Sequence, residues 1–248
     1  MAGILPYLAN ALLYGALAGY IWRTRWRETR PGLPDTAFAR GIDHYAVLVP
    51  LALHTFLLSQ SAFAEDGLRL GVGNAVSAII WLTVLIYWLG NFFYHLEGLQ
   101  ILVMPVAAVA SLLPAVFPSL HPLPNTEFAA FKVHVLISML AYSLFTIASL
   151  HVLLMALLER KLHGGVLPAL LAKLPPLLAM ETLLFRIIMA GFLLLTLTLA
   201  SGILFSEELL GRPFKLTHKT VFGVLSWLIF AALLGGRRIY GWRGRIAV

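Results

Sequence analysis

The sequence contains no cysteine. This absence excludes thiol–disulfide chemistry, thiolate metal sites and covalent attachment of haem to the chain through thioether bonds. Short motifs of soluble enzymes are also missing: there is no glycine-rich phosphate loop, no zinc-protease helix and no nucleophile elbow. Any binding chemistry in this protein must therefore use other side chains.

Charged residues are scarce as well. Asp, Glu, Lys and Arg make up 12% of the sequence, whereas 60% is hydrophobic and the mean hydropathy is +0.88. A soluble domain carries roughly 25% charged residues, because its surface must be hydrated. The hydrophobic residues lie in blocks of about 20, the length that a helix needs to cross a bilayer. The composition thus predicts an integral membrane protein in contact with lipid.

The hydrophobic blocks are separated by short connections that contain Gly, Pro and charged residues, which predicts an all-α polytopic transmembrane bundle of about seven spans. The predicted spans are 3–22, 43–63, 72–93, 98–117, 132–157, 182–205 and 217–235. We expect a single transmembrane domain over residues 1–248. Within it, the Pro- and Gly-containing segment 162–180 is expected to form a cytoplasmic interfacial helix.

The basic residues indicate how the chain is oriented. The formal charge of +7 and the pI near 9.9 come from clusters that flank the hydrophobic blocks, so they indicate membrane topology and not nucleic-acid binding. Three clusters lie on one side if the spans alternate: Arg23, Arg25, Arg27, Arg30 and Arg40; Arg160, Lys161 and Lys173; Arg237, Arg238, Arg243 and Arg245. The positive-inside rule then places the amino terminus outside and the carboxyl terminus in the cytoplasm.

Eight histidines in a chain with so little charge are the most informative polar residues. His134 lies near the outer end of the fifth span, and His218 begins the seventh span at the same face. Two imidazoles at one depth could ligate the two faces of a haem iron; the alternative is that each forms hydrogen bonds at the headgroup interface. A polar stripe facing the bundle is predicted for His134, Ser138, Tyr142, Phe145 and Ser149.

Two further histidines are candidate cofactor ligands deeper in the membrane. His54 is in the middle of the second span. His151 lies 17 residues after His134, or about 25 Å along a helix, towards the cytoplasmic side with His95 and Glu97. The alternative for both is interhelical hydrogen bonding, which stabilises a membrane bundle modestly.

The last three spans resemble a known family. The segments are His134–Lys161 (HVLISMLAYSLFTIASLHVLLMALLERK), Leu184–Ser206 (LFRIIMAGFLLLTLTLASGILFS) and His218–Arg245 (HKTVFGVLSWLIFAALLGGRRIYGWRGR). The pattern, and WLIFA followed by GWRG in particular, resembles the CcsA/CcmC/HemX-like cytochrome c assembly membrane proteins, in their small YpjD-like branch. The resemblance covers about residues 130–245.

The resemblance implies a multi-pass protein of the bacterial plasma (inner) membrane that binds or passes haem b on its outer side. His134 matches the external histidine of the larger members, and His218 matches a position in the small branch only. The tryptophan-rich external loop of the larger members is replaced by EELLGRPFKLTHKT, which has no tryptophan. We therefore expect a non-catalytic accessory protein that acts in a complex with a membrane protein partner. The alternatives are a structural or regulatory transporter subunit without haem, and a carrier of a small hydrophobic ligand.

Overall fold

The structure is a computed structural model. It describes residues 3–23, 44–64, 67–94, 96–119, 122–123, 126, 128–163, 175–204 and 218–242. Contacts divide the chain into two compact units. The first unit is Met1–Pro122 with Leu153–Pro176, and the second unit is Leu123–Val152 with Leu177–Val248.

The first unit contains five α-helices among its described residues up to 119. They are α1 (Ile4–Ile21), α2 (Leu48–Ala62), α3 (Val72–Gly90), α4 (Gln100–Ala110) and α5 (Leu113–Val116). The strands β1 (Phe63–Ala64) and β2 (Gly67–Leu68) pair antiparallel between α2 and α3, and a 3₁₀ turn (Glu97–Leu99) precedes α4. Because the hairpin reverses the chain, α2 and α3 run antiparallel.

The second unit consists of three long helices in the part of the chain that is described. They are α6 (Ala129–His163), α7 (Leu177–Leu204) and α8 (His218–Tyr240). From Leu153 onwards, α6 belongs to the first unit. On α7 the buried stripe recurs with the period of a helix: Met180, Leu184, Ile188, Gly191 and Leu195.

Six helices of the described chain are long and apolar enough to span a membrane, so the predicted all-α polytopic fold is confirmed. The fourth predicted span, 98–117, differs from the others. It is a shorter apolar stretch, Gln100–Val116, in which Ser111 and Leu112 form a turn between α4 and α5. Pro114 removes a backbone donor at the start of α5, which explains the interruption.

The lengths of α6 and α7 modify two predictions. Both helices extend beyond the predicted spans 132–157 and 182–205, so the two ends of the predicted interfacial segment 162–180 belong to these long helices. Its middle, residues 164–174, lies outside the described residues, and an interfacial helix there stays a prediction. A single domain over 1–248 also stays a prediction.

The predicted polar stripe of α6 is wrong in part. Tyr142 is 52% exposed, and Ser149 is exposed and bonds only to the carbonyl of Phe145 in its own helix. The buried positions are instead Ala141, Ser143, Ile147 and Ala148. Hydroxyl groups on the lipid face are tolerated here because they bond to the backbone one turn earlier.

Candidate functional site

His134 lies in the second turn of α6 and contacts the last turn of α7. Its Nδ1 is 2.8 Å from Oγ of Ser201. Gly202 follows Ser201, and a Cβ at Gly202 would be 3.5 Å from Cε1 of the imidazole. The small residues at 201 and 202 therefore let the ring pack against α7.

The hydroxyl of Ser201 lies within hydrogen-bond distance of two groups, Nδ1 of His134 at 2.8 Å and the carbonyl oxygen of Thr198 at 3.1 Å. A serine hydroxyl has one proton to donate, and in one arrangement Ser201 donates it to the carbonyl of Thr198. In that arrangement it accepts a hydrogen bond from an Nδ1–H group of His134. This assignment leaves Nε2 of His134 with a free lone pair, and Nε2 has no hydrogen-bond partner among the described residues. Histidine ligands of metals commonly have this arrangement.

The register of the second unit relates His134 to His218. α6 and α8 are parallel, and the rings of Phe145 and Phe230 stack with centroids 4.1 Å apart. His134 precedes its stacked ring by 11 residues and His218 by 12, which corresponds to about 16.5 and 18 Å of helix. The two backbones are thus nearly level along the helix axes. The side chain of His218 lies outside the described residues, so joint ligation by the two rings stays a prediction.

His151 lies at the other end of the second unit, buried to 2% exposure. Its Nε2 is 3.1 Å from the carbonyl oxygen of Met180, and because a carbonyl can only accept, Nε2 carries the proton. Nδ1 is buried and has no partner among the described residues. The next residue, Glu181, forms an ion pair with Arg237 of α8. A ligand role for His151 stays a prediction.

His54 is in the first unit and is 1% exposed. Its Nε2 is 2.9 Å from Oγ of Ser77, and its Nδ1 is 3.5 Å from the hydroxyl oxygen of Tyr14. Both nitrogens have polar partners from neighbouring helices, so this geometry favours interhelical hydrogen bonding over ligation of a metal. The described part of the chain holds no group of three or more His, Asp or Glu that could bind a metal ion. His95 lies outside the described residues.

These features define a polytopic α-helical membrane protein with a half-buried histidine near one end of its second unit. Residues 42–248 match the family described as cytochrome c assembly protein, and the chain belongs to this family. With the helices long enough to span a membrane, and with the relatives below, it is a multi-pass protein of the bacterial inner membrane.

Two groups of relatives are similar to the chain. The inner membrane protein YpjD of Escherichia coli K12 is 29% identical over 200 residues, which is 80% of this chain and 73% of YpjD. The cytochrome c biogenesis protein CcsA of Prochlorococcus marinus strain AS9601 is 41% identical over 66 residues, which is 27% of this chain and 21% of CcsA. No solved structure matches the chain. The predicted family resemblance is confirmed.

Proposed function

We propose that this protein handles haem b at the outer face of the inner membrane, with His134 and His218 as the axial ligands of the iron. The observation that carries the proposal is the hydrogen bond between Nδ1 of His134 and Ser201. With the proton on Nδ1, this contact orients the ring and leaves Nε2 able to bind iron. When bound, haem would supply the iron, and the chain would supply two neutral imidazoles.

The nearly equal positions of the two histidines along the helix axes support joint ligation. His134 and His218 belong to parallel helices, and the Phe145–Phe230 stack sets their register to within about one residue. Trp227, near the middle of α8, donates a hydrogen bond at 2.9 Å to Thr196 of α7, which ties α8 to the helix that contacts His134. Such supporting contacts hold ligands in a fixed geometry.

The proposed role is accessory and non-catalytic. The connection between α7 and α8 has no tryptophan, whereas a tryptophan-rich loop is what the larger family members present to haem at this position. A protein without this loop can bind or pass haem, but it lacks the stacking surface for presenting haem to an apocytochrome. We therefore expect it to act together with a membrane protein partner.

The same missing loop favours a second candidate function, a structural or regulatory subunit of a membrane transporter complex that binds no haem. In that case His134 and Ser201 would form an interhelical hydrogen bond and nothing more. The presence of haem in the purified protein distinguishes the two functions.

The test is the visible absorption spectrum of the protein purified from cells with abundant haem. Ligation by His134 and His218 gives a low-spin b-type spectrum with sharp α and β bands after reduction, because each face of the iron has an imidazole. His134→Ala or His218→Ala should convert the iron to high spin or remove the haem. His163→Ala, at the far end of α6, is the matched control and should leave the spectrum unchanged.

Other results separate the alternatives. A folded, colourless protein would reject haem binding and favour the transporter subunit. A spectrum that survives the loss of both His134 and His218 but not of His54 or His151 would move the ligands to the deeper histidines.

A further inference from the structure

One face of α1 carries polar residues that the proposed function does not use. Tyr7, Asn10 and Tyr14 follow one another at i, i+3 and i+7, so they lie on a single face of the helix. Their exposed fractions are 5%, 0% and 0%. This face points into the first unit, although polar side chains in a membrane helix are costly to bury without partners.

Asn10 is the unusual member of this stripe. Neither its amide nitrogen nor its amide oxygen has a hydrogen-bond partner among the described residues. A carboxamide has two donors and an acceptor with two lone pairs, so a buried one that bonds to nothing is strongly disfavoured. Buried polar groups that lack protein partners are typically satisfied by water.

A buried hydrogen-bonded triad lies one turn further along the stripe. Tyr14, at i+4 from Asn10, contacts His54 of α2 through its hydroxyl, and His54 contacts Ser77 of α3. Tyr14, His54 and Ser77 are each at most 1% exposed. The imidazole of His54 is the only nitrogen base among the three side chains.

A pocket of about 200 Å³ lies in the opposite direction, at the end of the first unit where α1 begins and α2 ends. Tyr7, Ser61 and Asn74 line it, one from each of the helices that form the triad. Tyr7 precedes Tyr14 by seven residues and Ser61 follows His54 by seven, which is about 10.5 Å of helix. The amide oxygen of Asn74, a residue that is 1% exposed, has no partner among the described residues.

The same three helices thus place polar groups at three successive levels: the pocket, Asn10, and the His54 triad. We propose that water enters from the pocket, passes the amide of Asn10 and reaches His54. The path gives this intramembrane imidazole access to protons from one face of the membrane. The ligand of this path is water, and the amide of Asn10 forms hydrogen bonds with the water between the pocket and His54.

Single cysteines can test this path without background labelling, because the sequence has no cysteine. Asn10→Cys and Leu12→Cys are a matched pair on α1, since Leu12 is 72% exposed and faces lipid. Full-length protein in vesicles is treated with Ag⁺, which is similar in size to water, and the remaining thiols are counted with a fluorescent maleimide after unfolding. Thiols react as thiolates, which form in water and not in lipid, so the cysteine at 10 should react roughly tenfold faster or more.

A second pair of cysteine variants tests the end of the path at His54. Ser77→Cys should react with Ag⁺, and the same cysteine in an Asn10→Leu background should react much more slowly, because leucine offers water no hydrogen bond. Val76→Cys, which faces lipid beside Ser77, is the control and should stay unreactive in both backgrounds. Equal rates for the cysteines at 10 and 12 in a folded protein would overturn the path. The path would also be overturned if Ser77→Cys reacted with Ag⁺ at the same rate with and without Asn10→Leu.

Discussion

At the scale of single residues, Ser201 is the contact that makes His134 a credible ligand. Replacing Ser201 by Ala removes the hydrogen-bond partner of Nδ1, so the ring can rotate or change tautomer. Loss of such a supporting partner typically lowers metal affinity by about 10- to 100-fold. We predict this loss for haem in Ser201→Ala, measured by haem titration of the purified protein.

The control for this variant is Ser149→Ala. Ser149 bonds only to the carbonyl of Phe145 in its own helix and is exposed, so its loss should leave haem affinity unchanged. Unaltered affinity in Ser201→Ala, in a protein that does bind haem, would contradict the assigned role of the hydroxyl.

The ion pair between Glu181 and Arg237 is a second contact with a measurable consequence. Glu181 is 6% exposed, and the guanidinium of Arg237 also lies 3.6 Å from the ring centroid of Phe185. Removing one partner of this partly buried pair leaves an uncompensated charge and costs about 1–3 kcal/mol. Arg237→Met should lower the free energy of unfolding by this amount, and Glu181→Met with Arg237→Met should restore most of it.

Unfolding in detergent measures both effects. Arg238→Met, at the exposed neighbouring position, is the control and should change stability by less than about 0.5 kcal/mol. If the double variant were no more stable than Arg237→Met, the loss would come from the packing on Phe185 and not from the unpaired carboxylate.

The candidate site could be predicted from the sequence only in part, and the reason is visible at these residues. His134 is conspicuous because a histidine near the end of an apolar span is costly, but Ser201 is an ordinary residue among hydrophobic neighbours 67 positions away. Only the crossing of α6 and α7 brings it to the imidazole. Asn10 could have been singled out from the sequence, because it is a carboxamide within an apolar helix and lies at helical spacing from two tyrosines.

At the scale of elements, hydropathy located the helices well because lipid forces each span to satisfy its backbone hydrogen bonds internally. It located their ends less well. α6 continues to His163 since Glu159, Arg160 and Lys161 are good helix formers even where the chain leaves the apolar region. The turn between α4 and α5 depends on Pro114 and on packing, which a hydropathy average does not detect.

The packing of α3 against α5 leads to a prediction about Gly73. A Cβ at this position would lie 2.6 Å from the backbone oxygens of Leu113 and Phe117, which cannot move aside as a flexible side chain could. Gly73→Ala should therefore destabilise the first unit by about 1–3 kcal/mol. Gly15→Ala has open space around it and should be neutral or stabilising by up to about 1 kcal/mol, because alanine favours a helix. Thermal unfolding of the two variants in detergent gives the comparison, and equal effects would contradict the close approach.

At the scale of the whole molecule, the number of crossings determines the topology, and the short stretch α4–α5 decides that number. The side chain of Leu96, just before α4, approaches Gly90 at the end of α3, and the backbone of α5 approaches Gly73 at its start. The segment from Leu96 to Phe117 therefore contacts α3 near both of its ends, which are about 28 Å apart. This coverage supports a seventh crossing even though α4 and α5 are individually short.

Seven crossings place the two ends of the chain on opposite sides of the membrane, whereas six would place them on the same side. From the excess of Lys and Arg in the first connection, the fifth connection and the tail, we predict an outside amino end and a cytoplasmic carboxyl end. We predict that reporters after Gly32 and at the carboxyl end give a cytoplasmic signal, while reporters at the amino end and near Asn125 give an external one. If the reporters at the two ends lay on the same side, α4–α5 would not cross. If every reporter were reversed, seven crossings would stand and the orientation inferred from the basic residues would be wrong, which would also move His134 and His218 to the cytoplasmic face.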